Sequence, residues 1–110
     1  MLSRDDVDLT RAMERCEVPS GGFPHASHLR VAWVYLHECP SLDAAIARMG
    51  STLRRFAASV GQAEKYSEAV TVFWMLQVAA ARAMMPEADL DSLLRAYPRL
   101  LDKTLIRPVE

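Results

Sequence analysis

Two histidines three residues apart, His25 and His28, stand in the stretch Phe23-Pro24-His25-Ala26-Ser27-His28-Leu29. Imidazole can donate, accept, titrate near neutral pH or ligate a metal, so this pair is where the residue types of the chain permit chemistry. On a helix turning about 100° per residue, His25, His28, Ala32 and Leu36 fall within about 80° of arc, and Tyr35 lies on the edge of the same stripe. Titratable groups on an otherwise apolar stripe are costly unless they are paired or used. Two readings follow. In one, the imidazoles line a small-molecule pocket near the start of the helix, with a histidine as hydrogen-bond partner, acid or base. His28 is then the better base, since its face is the more buried. In the other, the pair is architectural: His25 orders the preceding loop and His28 bonds a neighbouring helix.

A second polar island is Glu64-Lys65-Tyr66-Ser67-Glu68. Projected toward the histidines, Tyr66 would donate a hydrogen bond and Lys65 would hold an anionic group, with Thr71 one turn deeper. The plainer reading is a helix start, in which Ser67 caps, Glu64 and Glu68 suit the positive end and Lys65 is solvated. The candidate catalytic residues are therefore His28 and His25, and the candidate ligand contacts are Lys65, Tyr66, Tyr35 and Thr71. Zinc requires three or four ligands. A third would have to come from Glu64, Glu68 or a cysteine, so neither a metal nor any other cofactor is predicted. No nucleophile elbow or phosphate loop is present, since Ser20-Gly21-Gly22 alone is only a turn. Asp91-Ser92-Leu93 resembles the attachment triplet of acyl carrier proteins. It lacks the preceding glycine and the long helix that should follow, and it reads as the start of a helix.

The elements that must position these residues all read as helices. No sustained alternation and no Asn-Gly or Asp-Gly hairpin signal occurs. A first helix runs from about Ser3, a plausible N-cap, to Cys16, and Val18 to Pro24 form a loop. A second runs from about Pro24, which suits the first helical position, to about Cys39, burying Leu29, Ala32, Trp33 and Leu36. Pro40 breaks it. Ser41 caps a third helix that runs to about Val60 and is stopped by Gly61. Its apolar stripe is Leu42, Ala45, Ile46, Met49, Leu53, Phe56, Ala57 and Val60. Gly50 sits inside that helix at a cost of about 1 kcal/mol against Ala, which a close helix contact would explain. The fourth runs from Tyr66 or Ser67 to Met84 and is apolar on most sides, so it is either central in the core or covered by a partner. A short fifth spans Asp89 to Tyr97, and Arg99 to Thr104 adds one more turn. The expected fold is a single all-α domain over residues 1–110, a small bundle of four main helices plus a short C-terminal one.

Composition supports a globular chain. Of its 110 residues 51% are hydrophobic and 25% charged, and the formal net charge is −1. That size allows one modest core. The near-neutral charge gives no electrostatic reason to expect nucleic acid or an anionic membrane as a partner. The polar, acidic N-terminus does not read as a signal peptide, and the apolar stretch from Ala69 to Met85 is too short and too polar to span a bilayer. A cytoplasmic location is expected, with Cys16 and Cys39 reduced and acting mainly as small core residues. The apolar fourth helix makes a homodimer the natural partner expectation beside a small-molecule ligand.

Three segments together resemble a set of small bacterial proteins. That family carries a Phe-x-His-x-x-His-Leu motif leading into an Ala-Trp helix, then Lys-Tyr-His-x-Thr-x-Thr, then Pro-x-Leu-Leu-Asp-Lys. Here the first reads Phe23 to Leu29 with Ala32-Trp33 following, the second Lys65-Tyr66-Ser67-Glu68-Ala69-Val70-Thr71, and the third Pro98 to Lys103. The likeness covers roughly residues 10–105. It implies an all-helical fold and carries no established activity. The second motif is only partly kept: Ser67 stands where the family has its third histidine, and Ala69 where it has its first threonine.

Overall fold

The computed structural model describes residues 2–17 and 22–104. The predicted loop residues 18–21 lie outside them. Five α-helices follow one another: α1 (Arg4–Glu14), α2 (His25–Glu38), α3 (Leu42–Ser59), α4 (Glu68–Met84) and α5 (Leu90–Ala96). Short 3-10 turns at Ala63–Lys65 and Pro98–Leu101 complete the described secondary structure, which contains no strand. The all-α bundle expected from the sequence is thus the fold. No helix among the described residues is long and apolar enough to cross a membrane.

Side-chain caps fix where most helices begin. Ser3 accepts from the Asp6 amide at 3.1 Å, Ser41 from Ala44 at 3.1 Å, Ser67 from Val70 at 3.2 Å and Asp89 from Ser92 at 2.8 Å. Each satisfies one amide that the first turn would otherwise leave bare. α2 differs. Pro24 takes its N-cap position rather than the first helical one, and no side chain caps it. Gly61 adopts φ +72° after α3, as its place in the sequence predicts. α1 stops without such a signal, because Cys16 takes the left-handed conformation, at φ +59°.

α2 is the centre of the bundle and packs against α1, α3 and α4. Six consecutive residues, Val31 to Leu36, are buried. Its charged residues and histidines lie on either side of that run. Of the two alternatives for α4, the one that makes it the core centre is therefore corrected. α4 lies at the edge, burying Thr71, Met75, Val78 and Ala81 while Leu76 and Met84 stay 44% and 73% exposed. α5 closes one side through buried Leu90, Leu93 and Leu94. Arg30 ties it down, donating to Asp6 of α1 at 2.8 Å and to Asp91 at 2.9 Å. Cys16 and Cys39 are free and half-buried.

Candidate functional site

The apolar stripe of α3 is core only at one end. Ala45 and Met49 are buried, whereas Leu53, Phe56 and Ala57 are half-buried and Val60 is exposed. Together with Met49, those four face a pocket of about 740 Å³ between the first turns of α2, the second half of α3 and the start of α4. α2 supplies His25, His28, Leu29 and Ala32 to it, and α4 supplies Val70, Thr71, Trp74 and Met75. Phe23 and Phe56 meet edge to face at 5.0 Å, closing one wall.

The two histidines part company in their bonding. Nε2 of His25 donates to the Leu100 carbonyl at 2.9 Å, and its ring lies against Trp74 with centroids 4.5 Å apart. His25 therefore braces the C-terminal 3-10 turn against α2 and α4. His28 makes no hydrogen bond to a described residue, so the predicted brace to a neighbouring helix is not formed. Burial, and then the nearby His25, holds the His28 imidazole below its ordinary pKa, leaving it neutral at pH 7. A neutral imidazole keeps one donor and one acceptor, and both are free at the pocket wall.

Lys65, Tyr66 and Thr71 line the same pocket. Lys65 is exposed at its lip, and the Thr71 hydroxyl donates within α4 to the Ser67 carbonyl at 2.9 Å. Ser67 also lines the pocket while capping α4, so both readings of this segment describe part of it. The Tyr66 ring forms wall, but its hydroxyl is buried without a partner among the described residues. It sits over Gly50, where an added Cβ would come within 3.0 Å of it. That close approach explains the glycine inside α3. The Arg54 guanidinium lies 5.5 Å from the Tyr66 ring and steadies it.

Gly50→Ala should therefore leave stability nearly unchanged, because about 1 kcal/mol of helix propensity is offset by the displaced tyrosine. In a Tyr66→Phe background the obstructing hydroxyl is gone, and the same change should stabilise by about 1 kcal/mol. Equal effects of Gly50→Ala in the two backgrounds, read from urea midpoints, would refute the contact.

Tyr35 is a correction. It is in phase with His28 but two turns further on, about 10 Å along the axis. There the end of α1 and the middle of α3 close over it, and it is fully buried. Its hydroxyl donates to Glu14 at 2.6 Å and lies 2.8 Å from the Thr52 hydroxyl, with Arg48 over its ring at 4.7 Å. It does not line the pocket. Burial, and then Glu14, pushes its hydroxyl up to about 12.

Sequence reasoning missed Trp74, Gln62 and Lys103 as wall residues. Trp74 follows Ser67 and Thr71 at helical spacing, a signal that was present but read as core. Gln62 and Lys103 lie outside regular helix and carry no periodicity to find them by. Among the described residues no group of three or more His, Cys, Asp or Glu could hold a metal. Comparison of the chain with protein-family models, with curated proteins and with solved structures gives no match.

Proposed function

We propose that the protein binds a small molecule in the pocket between α2, α3 and α4, with His28 meeting its polar end as hydrogen-bond partner, acid or base. One observation carries this reading: an unbonded, neutral imidazole stands in the wall of a largely apolar pocket of about 740 Å³. Ligand sites are typically concavities of roughly 300–1,000 Å³ with mostly apolar walls and a few convergent polar groups. The His28 ring nitrogens are bonded to no described residue and stay open to the pocket, so a ligand can engage them without breaking a bond of the fold. The partial likeness to the Phe-x-His-x-x-His-Leu family points to the same residues.

Ligand-observed NMR screening of a fragment library tests it. Fragments should bind the wild-type chain, and Ala57→Trp, which fills the pocket from α3, should abolish that binding. His28→Ala should weaken polar fragments about tenfold, the loss of roughly one hydrogen bond, with helical content unchanged. Binding that survives both substitutions would sink the proposal.

A second reading is a helical interaction module, in which α4 pairs with a second copy and the histidines only brace the fold. It rests on exposed Leu76 and Met84, on Leu101 at 48% exposure, and on a groove of about 680 Å³ that Phe73 and Met84 line beside Tyr97. Exposed apolar patches of this kind mark contact surfaces. Light scattering of the wild-type chain and of Leu76→Glu separates it from a monomeric pocket protein.

A further inference from the structure

We propose that the occupant of the pocket is an anionic amphiphile, its apolar body along the α3 wall and its single negative head at the lip beside Lys65 and Lys103. This rests on the pocket being a ligand site at all, as argued above. Three independent features select the charge. Lys65 and Lys103 both line the pocket, both are exposed, and neither forms an ion pair with a described residue.

Among the described residues no Asp or Glu lines the pocket, although the chain has 14 acidic residues against 13 Lys and Arg. Nearby Glu68 is turned to Arg54 at 3.7 Å instead. α2 begins at the pocket with His25 and lacks a side-chain cap, so its positive end is uncompensated there. An anion is favoured by every one of these features, and a cation by none.

The apolar requirement is equally direct. Leu53, Phe56, Ala57 and Val70 present hydrocarbon to the cavity, which a purely ionic ligand would leave wet. His28 then donates to the head or to a polar atom next to it. Carboxylates and phosphate monoesters share this chemistry, and the choice between them is a matter for experiment.

Isothermal titration with four ten-carbon probes decides it: decanoate, decyl phosphate, decanol and decylamine. At least one anion should bind roughly five- to tenfold more tightly than decanol, the scale of two solvent-exposed charge contacts, and decylamine more weakly than decanol. The better anion names the head group. Lys65→Gln with Lys103→Gln, both at exposed positions, should bring that anion to the affinity of decanol while leaving decanol unchanged. Decanol or decylamine binding as tightly as the better anion overturns the charge assignment and leaves the pocket reading standing. If no probe binds in a way that Ala57→Trp abolishes, the pocket reading itself falls, and this inference with it.

Discussion

Trp33→Ala is expected to cost about 3–5 kcal/mol, the range for removing a buried aromatic from a packed core. Total stabilities of domains are about 5–15 kcal/mol, so this one change approaches the whole. The reason lies in the position of α2. Trp33 is 1% exposed, in the middle of six buried residues on a helix that three others pack around. There is no solvent side toward which the bundle can relax. Trp33→Phe gives a graded version, with about 1–3 kcal/mol expected, should the alanine variant fail to fold. The matching change on α4, Met84→Ala, should stay within about 0.5 kcal/mol, since that side chain is already in water. Urea midpoints of the three variants rank the helices. Comparable losses at Trp33 and Met84 would place α4 in the core and refute the arrangement described above.

That contrast shows what the sequence made legible. Helix starts were readable at Ser3, Ser41 and Ser67 because these are short polar residues that cap by their own chemistry, wherever the helix later packs. The end of α3 was readable because Gly61 marks the left-handed position. The end of α1 was not, because Cys16 takes that position against its usual preference. Average character leaves two readings of α4, central in the core or covered by a partner, and only the structure removes the first. α4 is apolar nearly all round over its length, whereas α2 carries histidines, Arg30 and Glu38 that conceal the uninterrupted run between them. Burial follows the local run, not the mean.

The pocket was illegible for a related reason. A stripe such as Met49, Leu53, Phe56, Ala57 and Val60 looks the same whether it meets another helix or an empty space. Only the three-dimensional fit shows that a pocket opens between α2, α3 and α4 there. What the sequence did mark was the polar exception on the facing helix. His25 and His28 share a stripe, yet they differ in partner: one is tied to the Leu100 carbonyl, the other is not tied to a described residue. Spacing brought them together, but the fold around the C-terminal turn divides their roles. Tyr35 shows the complementary limit, because angular phase on a helix says nothing about distance along it.

Glu14→Ala should cost about 2–3 kcal/mol. The carboxylate accepts from Tyr35 at 2.6 Å, Arg11 at 3.1 Å and Arg48 at 3.1 Å, and so joins the end of α1 to both α2 and α3. Arg11 and Arg48 also reach Glu38, which keeps the two arginines partly paired when Glu14 is lost. The Glu14 side chain is one-fifth exposed, so the penalty is smaller than the roughly 3–5 kcal/mol for breaking a fully buried pair. Tyr35→Phe should cost about 1–2 kcal/mol, and the double variant should fall short of the sum by at least about 1 kcal/mol, since both changes delete the same bond.

The acid limb of stability identifies the carboxylate. Burial alone would raise its pKa, but the Tyr35 hydroxyl and the guanidinium groups of Arg11 and Arg48 outweigh it and hold it below the ordinary value of 4.5. A carboxyl lower in the folded than in the unfolded chain adds stability above its unfolded pKa, and loses it as pH falls from there through the folded value. Tyr35, held near 12, stays protonated throughout and contributes no slope of its own. Urea unfolding from about pH 7 to about pH 3 should thus show a steeper fall below pH 4.5 for the wild-type chain than for Glu14→Gln. The glutamine variant keeps an acceptor for Tyr35 without the charge. Identical slopes would mean that Glu14 is not ion-paired in solution, and the joint between α1, α2 and α3 would then rest on packing, on the Glu38 pairs with Arg11 and Arg48, and on uncharged hydrogen bonds.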